Sequence, residues 1–539
     1  MATPNRAADP SFHEGLGSAR PDRSRRAFVH GLTLAATSPS LLLAACATTG
    51  GSGLVPSDPA STYRLANRIS WGATDAELQR IRQMGASAYI DEQLRAAAGN
   101  TLPAAAQAQI DVLCIQTTSS LQTLVWETEA TRKSADAVGT EEGRKAAQQA
   151  YQQELNKLAR EAASRHLLRA LYSPNQLQEQ MTWFWFNHFN VHQYKSNVRA
   201  MLGDYEERAI RPHALGRFRD LLGAVAHHPV MLRYLDNEQN AAGRVNENYA
   251  RELLELHTLG VDGGYTQRDV QELARVLSGH GVNLTDNTPK LRPEQTAQYV
   301  RNGLYEFHPG RHDFGNKSLL ALSINGRGAA ELDEVLDVLA VHPSTARFVS
   351  RKIAQQLLAD EPPARVVDAM ADAWGRSQGQ IAAVLGVLLR SPEFSASPTG
   401  KFKDPMHFVV SSVRACYGER VVLNTGPMQN WLNRMGQGLY NRQTPDGYPS
   451  NLASWSSSGQ MATRFEIARS LGSGSAGLFK TDDPMAPREQ PAFPQLSKPI
   501  YYEVIRPQLA ASTRDALDNA ASPQDWSSLY LSSPEFMYC

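Results

Sequence analysis

Cysteine is scarce in this sequence. The four residues Cys46, Cys114, Cys416 and Cys539 lie far apart, with no Cys-x-x-Cys pair. That excludes a zinc knuckle and a disulfide framework, and leaves room for one disulfide among Cys114, Cys416 and Cys539 in an oxidising compartment. An excess of one charge is missing too. Lys+Arg and Asp+Glu both number 54, so there is no basic footprint and no argument for nucleic acid. The chain has no G-x-S-x-G elbow, no Walker loop and no H-E-x-x-H helix, which removes the short motifs of α/β-hydrolases, P-loop enzymes and zincins. Strand patterns are few and weak.

What is present begins with an address. The run "SRRAFVHGLTLAATSPSLLLAAC" places Arg25 and Arg26 ahead of a modest apolar stretch that ends in Leu43-Ala44-Ala45-Cys46. A twin arginine before such a stretch marks the twin-arginine export route. The stretch is too short and interrupted for a spanning helix, which needs about 20 apolar residues. Leu-Ala-Ala-Cys resembles a lipobox, with Cys46 the lipidated residue. Residues 1–45 are therefore read as a signal and 46–60, rich in Gly, Ser, Thr and Pro, as a flexible tether. The expected location is the bacterial cell envelope, lipid-anchored to a membrane and facing the periplasm or exterior. That route also carries proteins folded before export, often with a cofactor inserted.

The remainder, 61–539, has 42% hydrophobic residues in the whole chain behind it and reads as globular. Its length suits subdomains, with a division expected near 340–400. Nearly every patterned segment has helical period. Residues 75–96 give two short amphipathic helices broken at Gly85, and 142–171 a long one. In "SPNQLQEQMTWFWFNHFNVH", Ser173, Pro174 and Gln176 predict a capped helix over 174–190. Leu177, Met181, Phe184, Trp185 and His188 share its face, with His192 one turn beyond. "NENYARELLELHTLGVDGGYTQRDV" predicts a helical hairpin, 246–259 and 266–278. Glu252 falls at the margin of the first apolar arc, Glu255 further out as an ion-pair partner for Arg251, and His257 on the opposite margin. Gly260 serves as the C-cap, and Thr266 with Asp269 starts the second helix. "FHPGRHDFGNK" brings His308, His312, Asp313 and Lys317 onto a glycine-bearing segment. Residues 418–460 read as long surface loops, and "SPEF" occurs twice, at 391–394 and 533–536. The fold class expected is mainly α, a multi-helix globular domain with long C-terminal surface loops.

The pieces "LANRISWGAT" (65–74), "WFNHF" (185–189), "HPVMLRYLDN" (228–237), the hairpin, "HDFGNK" (312–317), "HPSTARFVSRKI" (342–353) and "SPEF" together resemble the domain-of-unknown-function-1800 family of exported bacterial proteins. In that family the second hairpin helix usually ends in Gly-Trp, where this chain has Gly279-His280. The resemblance implies export and a gene neighbour that is itself exported and resembles phosphatases and sulfatases.

Two functions follow as expectations. In the first, His188, Glu252, His312 and Asp313 converge on one divalent metal, with His192 and Glu255 as second choices. Histidine with carboxylate suits zinc, iron or manganese. Glu252 and His188 would be the catalytic pair of a metal-assisted envelope enzyme acting by hydrolysis or oxidation. In the second, the chain is a non-catalytic scaffold for an exported phosphatase- or sulfatase-like partner, and the same polar residues form a buried network that holds helices in register.

Overall fold

The computed structural model describes residues 58–96, 101–396, 400–481 and 493–539. The twin arginine, Cys46 and nearly all of the tether lie outside the described residues. Helices dominate, as the periodicity predicts, and the strands among the described residues are five three-residue pieces. From residue 58 onward the described residues form one compact unit. No helix among the described residues is long and apolar enough to cross a membrane. Cys114, Cys416 and Cys539 are all free, so none of the three makes the disulfide that the compartment would allow.

The local rules work where signals are short-range. Asp75–Met84 and Ala86–Arg95 break at Gly85, whose φ is 85°. The long helix runs Glu141–Tyr172, with Tyr151, Leu155, Leu158 and Ala162 buried. Thr266 caps Gln267–Val276 through a full capping box with Asp269, and Val270, Leu273, Ala274 and Leu277 are buried. Thr266→Ala removes that cap, and we expect a loss of about 1 kcal/mol in urea unfolding. An unchanged midpoint would mean that the cap contributes nothing.

The aromatic helix starts later than its caps predict, at Gln176–His188. Ser173 instead ends the preceding helix, its N–H bonded to Arg169 O at 2.8 Å. Gln176 makes no capping box. Its amide donates to Ala170 O (3.1 Å) and Ser173 O (2.8 Å) and its carbonyl accepts from Trp71 N (3.0 Å). It is a clip at a three-way junction, which no local pattern encodes. The segment 418–460 contains the helix Gly426–Arg434. The irregular stretch after it turns Tyr440 into the core, where its hydroxyl donates to Glu206 at 2.8 Å.

Two small antiparallel ladders follow the hairpin. His280–Val282 pairs with Tyr305–Phe307, which also pairs with Val300–Asn302, and Lys317–Leu319 pairs with Leu322–Ile324. They fix "HDFGNK" against the hairpin's second helix. At the junction Gly279 has φ 83°, and a Cβ there would meet His308 O at 2.9 Å, so only glycine fits without strain.

Candidate functional site

The first hairpin helix is shorter than predicted, Asn248–Glu255. Beyond it the chain widens. His257 N bonds to Glu252 O and Leu259 N to Leu254 O, both five residues back, and Gly260 follows at φ 83°. An i→i−5 step advances the wheel by one extra residue. His257, placed at a margin by 3.6-residue counting, is therefore fully buried, while Glu252 stays half-buried. Arg251 pairs with Glu247 (3.2 Å) rather than with Glu255, whose carboxylate faces Tyr265 OH at 3.5 Å.

The four expected ligands do not converge. His188 points inward as its stripe predicts, but its Nε2 faces His257 O at 3.1 Å and its ring lies among Phe184, Trp185 and Phe189. Burial, then the Lys352 ammonium, lowers its pKa. Glu252 has its carboxyl pKa raised by burial and then by Glu255. His312 has both ring nitrogens on acceptors, Nδ1 on Ser278 O (2.7 Å) and Nε2 on Glu331 Oε1 (3.0 Å), leaving no lone pair for a metal. Asp313 is held by Arg275 (Nε 2.8 Å, Nη2 3.2 Å) and by Gly315 N. The Arg275 hydrogen bond holds its carboxyl at about 2, despite opposing burial. His192 is partly buried against Tyr194. Among the described residues no group of three or more His, Cys, Asp and Glu side chains is arranged to hold a metal.

The motif residues build structure instead. Glu331, which the motif reading missed, is fully buried and takes hydrogen bonds from His312, Lys317 Nζ (2.6 Å), Arg327 N (2.7 Å) and Gly328 N (2.9 Å). Three His-Pro pairs act as helix starters. His228, His308 and His342 each accept, on Nδ1, the N–H two residues on, at 3.1–3.2 Å. Asn237 of "HPVMLRYLDN" donates to Leu277 O and His280 O, fastening the hairpin's far end. His280, where the family usually has Trp, meets Tyr305 OH at 2.8 Å.

Open space lies elsewhere. A cavity of about 760 Å³ and a neighbour of about 670 Å³ share Tyr63, Asn67, Ile505, Tyr530 and Phe536 as lining residues. Together they are lined by Arg64, Arg68, Arg80, Lys401, Lys403, Arg414, Arg420 and Lys498 against Asp75, Glu77, Asp360, Glu419 and Glu535. In a chain of zero net charge, this is a local excess of positive charge, which concentrates anions.

Both ends of the domain make these walls. The helix Pro59–Ile69 supplies Arg68, which donates to Phe394 O (2.6 Å) and Cys539 O (3.3 Å), and Asn67, which donates to Tyr538 O (3.4 Å). Gly72 has φ 112°, and a Cβ there would stand 2.7 Å from Ser411 Cβ. Its carbonyl accepts from Arg414 Nε at 3.1 Å, while Arg414 Nη2 pairs with Glu77 at 2.8 Å. Residues 401–403 are zipped to the last three. Lys401 N donates to Cys539 O, Cys539 N to Lys401 O, and Lys403 N to Met537 O, at 2.8–3.0 Å. Both "SPEF" copies fold alike. Ser391 Oγ accepts from Phe394 N and Ser533 Oγ from Phe536 N, and each Phe is capped by a cation, Arg68 at 5.5 Å and Lys403 at 4.0 Å.

The fold and cleft thus define a mainly helical domain with a cationic double cavity where its two ends meet. The chain matches the family described as "Protein of unknown function (DUF1800)" over residues 64–538, and it belongs to that family. Neither a curated protein nor a solved structure is matched.

Proposed function

We propose that this protein is an exported, lipid-anchored envelope protein whose working part is a small-anion binding cleft. The observation that carries the reading is the pair of adjoining cavities lined by eight cationic side chains and five carboxylates. Family motifs stand in these walls: "LANRISWGAT" supplies Asn67, Gly72, Ala73 and Thr74, and the second "SPEF" supplies Phe536. The reading does not use His188, Glu252, His312 and Asp313 as a metal-binding catalytic set, because His188, His312 and Asp313 each have separate partners and no such set is clustered among the described residues. A phosphatase- or sulfatase-like partner, implied by the resemblance, would handle ligands of the same anionic class. Export rests on Arg25-Arg26, and anchoring on Leu43-Ala44-Ala45-Cys46.

Two measurements test it. Titration with inorganic phosphate and citrate should raise the melting temperature, while an uncharged polyol of citrate's size should not, since a ligand that binds only the folded state stabilises it. Charge reversal at the partly exposed Arg80 and Lys498 should weaken anion binding by about tenfold, or about 1.4 kcal/mol. Equal response to the uncharged compound, or no change in the reversed variant, defeats the cleft reading. For the anchor, Cys46→Ala should release exported protein from membranes, and retention after a salt wash would refute it.

A further inference from the structure

We propose that Lys403 is a covalent-binding amine, condensing with the carbonyl group of a small anionic aldehyde or keto acid held in the larger cavity. The inference rests on the anion-cleft reading and adds a bond to it.

Three lysines are deeply buried, Lys317, Lys401 and Lys403. Lys317 pairs with Glu331 and Lys401 with Asp360. Lys403 is the most buried, at 2% exposure, and its Nζ makes no hydrogen bond or ion pair among the described residues. Its Nζ lies over the face of Phe536, 4.0 Å from the ring centroid. Asp404, next in the chain, is turned to other work. It caps the helix Pro405–Tyr417 through His407 N (2.8 Å) and accepts from Gln437 (3.1 Å). A buried ammonium without a carboxylate is costly, and the usual outcome is loss of its proton. Burial does lower the Lys403 pKa, to about 7. Lys403 and Phe536, the ring beneath its amine, both line the cavity of about 760 Å³. Its backbone is immobilised by Met537 O, and Arg464, set over Phe402 and Phe408, donates to Lys403 O at 2.6 Å.

A primary amine that gives up its proton near pH 7, on a fixed backbone and in a cavity that draws anions, has the chemistry for imine formation. The Nζ lone pair forms a C–N bond to the carbonyl carbon as the C=O π pair moves to oxygen. Proton transfer from nitrogen to oxygen gives a carbinolamine. The oxygen then leaves as water, taking the second nitrogen proton, and a C=N bond remains. No oxidant or reductant is required. Arg80 and Lys498, which line this cavity and pair with Glu92 and Asp75, would hold the anionic end.

The test uses the full chain with pyridoxal 5′-phosphate, an aldehyde carrying a phosphate, trapped by cyanoborohydride near pH 7 and mapped by peptide mass spectrometry. Lys403 should be labelled at least tenfold faster than exposed lysines such as Lys290. Excess phosphate should slow it, and pyridoxal without the phosphate should label it tenfold more slowly. Lys403→Met should abolish the fast label while keeping its helical circular dichroism. Labelling of Lys403 no faster than of Lys290 overturns the inference. If phosphate still stabilises the wild-type protein in that case, the cleft reading survives; if it does not, both fail. Equal labelling by pyridoxal and its phosphate overturns the anionic part of the assignment.

Discussion

Taken from pH 7 to about pH 5, the protein should lose stability steeply and unfold cooperatively. Four histidines are buried with their pKa held down: His188, His257, His280 and His407. Burial is the first cause in each. Nearby positive charge adds to it, from Lys352 at His188 and His257 and from Lys403 and Arg414 at His407. For His257 the folded value is about 3. Unfolded imidazoles titrate near 6.5. The folded pKa lies below the unfolded one, so these groups cost nothing above about pH 6.5. As pH falls below that, only the unfolded state takes up protons, and stability is lost until the folded pKa is reached. At pH 5 His257 alone contributes a loss of about 2 kcal/mol, and the other three add to it in the same direction, against a typical domain stability of about 5–15 kcal/mol. Circular dichroism and tryptophan fluorescence against pH should show one transition between about pH 6 and 4.5. Native spectra at pH 4 would show that the four imidazoles protonate in place.

The second large effect is expected at Glu331. Glu331→Ala should cost about 3–5 kcal/mol in denaturant unfolding, because it leaves Lys317 and His312 buried without their carboxylate. Glu334→Ala, one turn on, removes only the pair with the half-exposed Arg327 and should cost under about 1 kcal/mol. Burial pushes the Glu331 carboxyl up, but hydrogen bonds from His312, Lys317 and Gly328 N outweigh it and hold it at about 2. A depressed carboxyl stabilises above its unfolded value and loses that contribution as pH falls toward 2. Its window therefore lies below that of the histidines. If both variants unfold at the same denaturant concentration, the buried cluster is not holding the loop.

The sequence was informative wherever a few neighbouring residues decide the outcome. Gly85 between two short helices, the Thr266–Asp269 box and the inward face carrying His188 were all readable, because caps and 3.6-residue spacing are local physics. So was family membership. The candidate site was not readable in the same way. Helical counting placed His257 at a margin because it cannot anticipate an i→i−5 step. Histidine and carboxylate in "HDFGNK" looked like ligands because their real partners, Glu331, Arg275 and Ser278, lie outside the motif. Lys403 carries no local signal at all. It stands in an ordinary "KFKDP", and only the docking of Phe536 and the absence of a carboxylate make it unusual. A tendency shared by motif histidines, to start helices in His-Pro pairs, was visible as three dipeptides and went unread because histidine is an uncommon cap.

The meeting of Asn67 and Arg68 with Tyr538 and Cys539 spans 471 positions. Contacts of such separation form late, since loop closure must precede any gain from them. A ribosome that has not yet delivered residues 536–539 carries a chain with helices but without the cavity. Until residues 536–539 dock, Phe408 and Tyr530 lack the cover that Phe536 gives them. On the export reading proposed above, by a route that accepts folded cargo, the docking of residues 536–539 would separate a transportable molecule from one a chaperone must still hold.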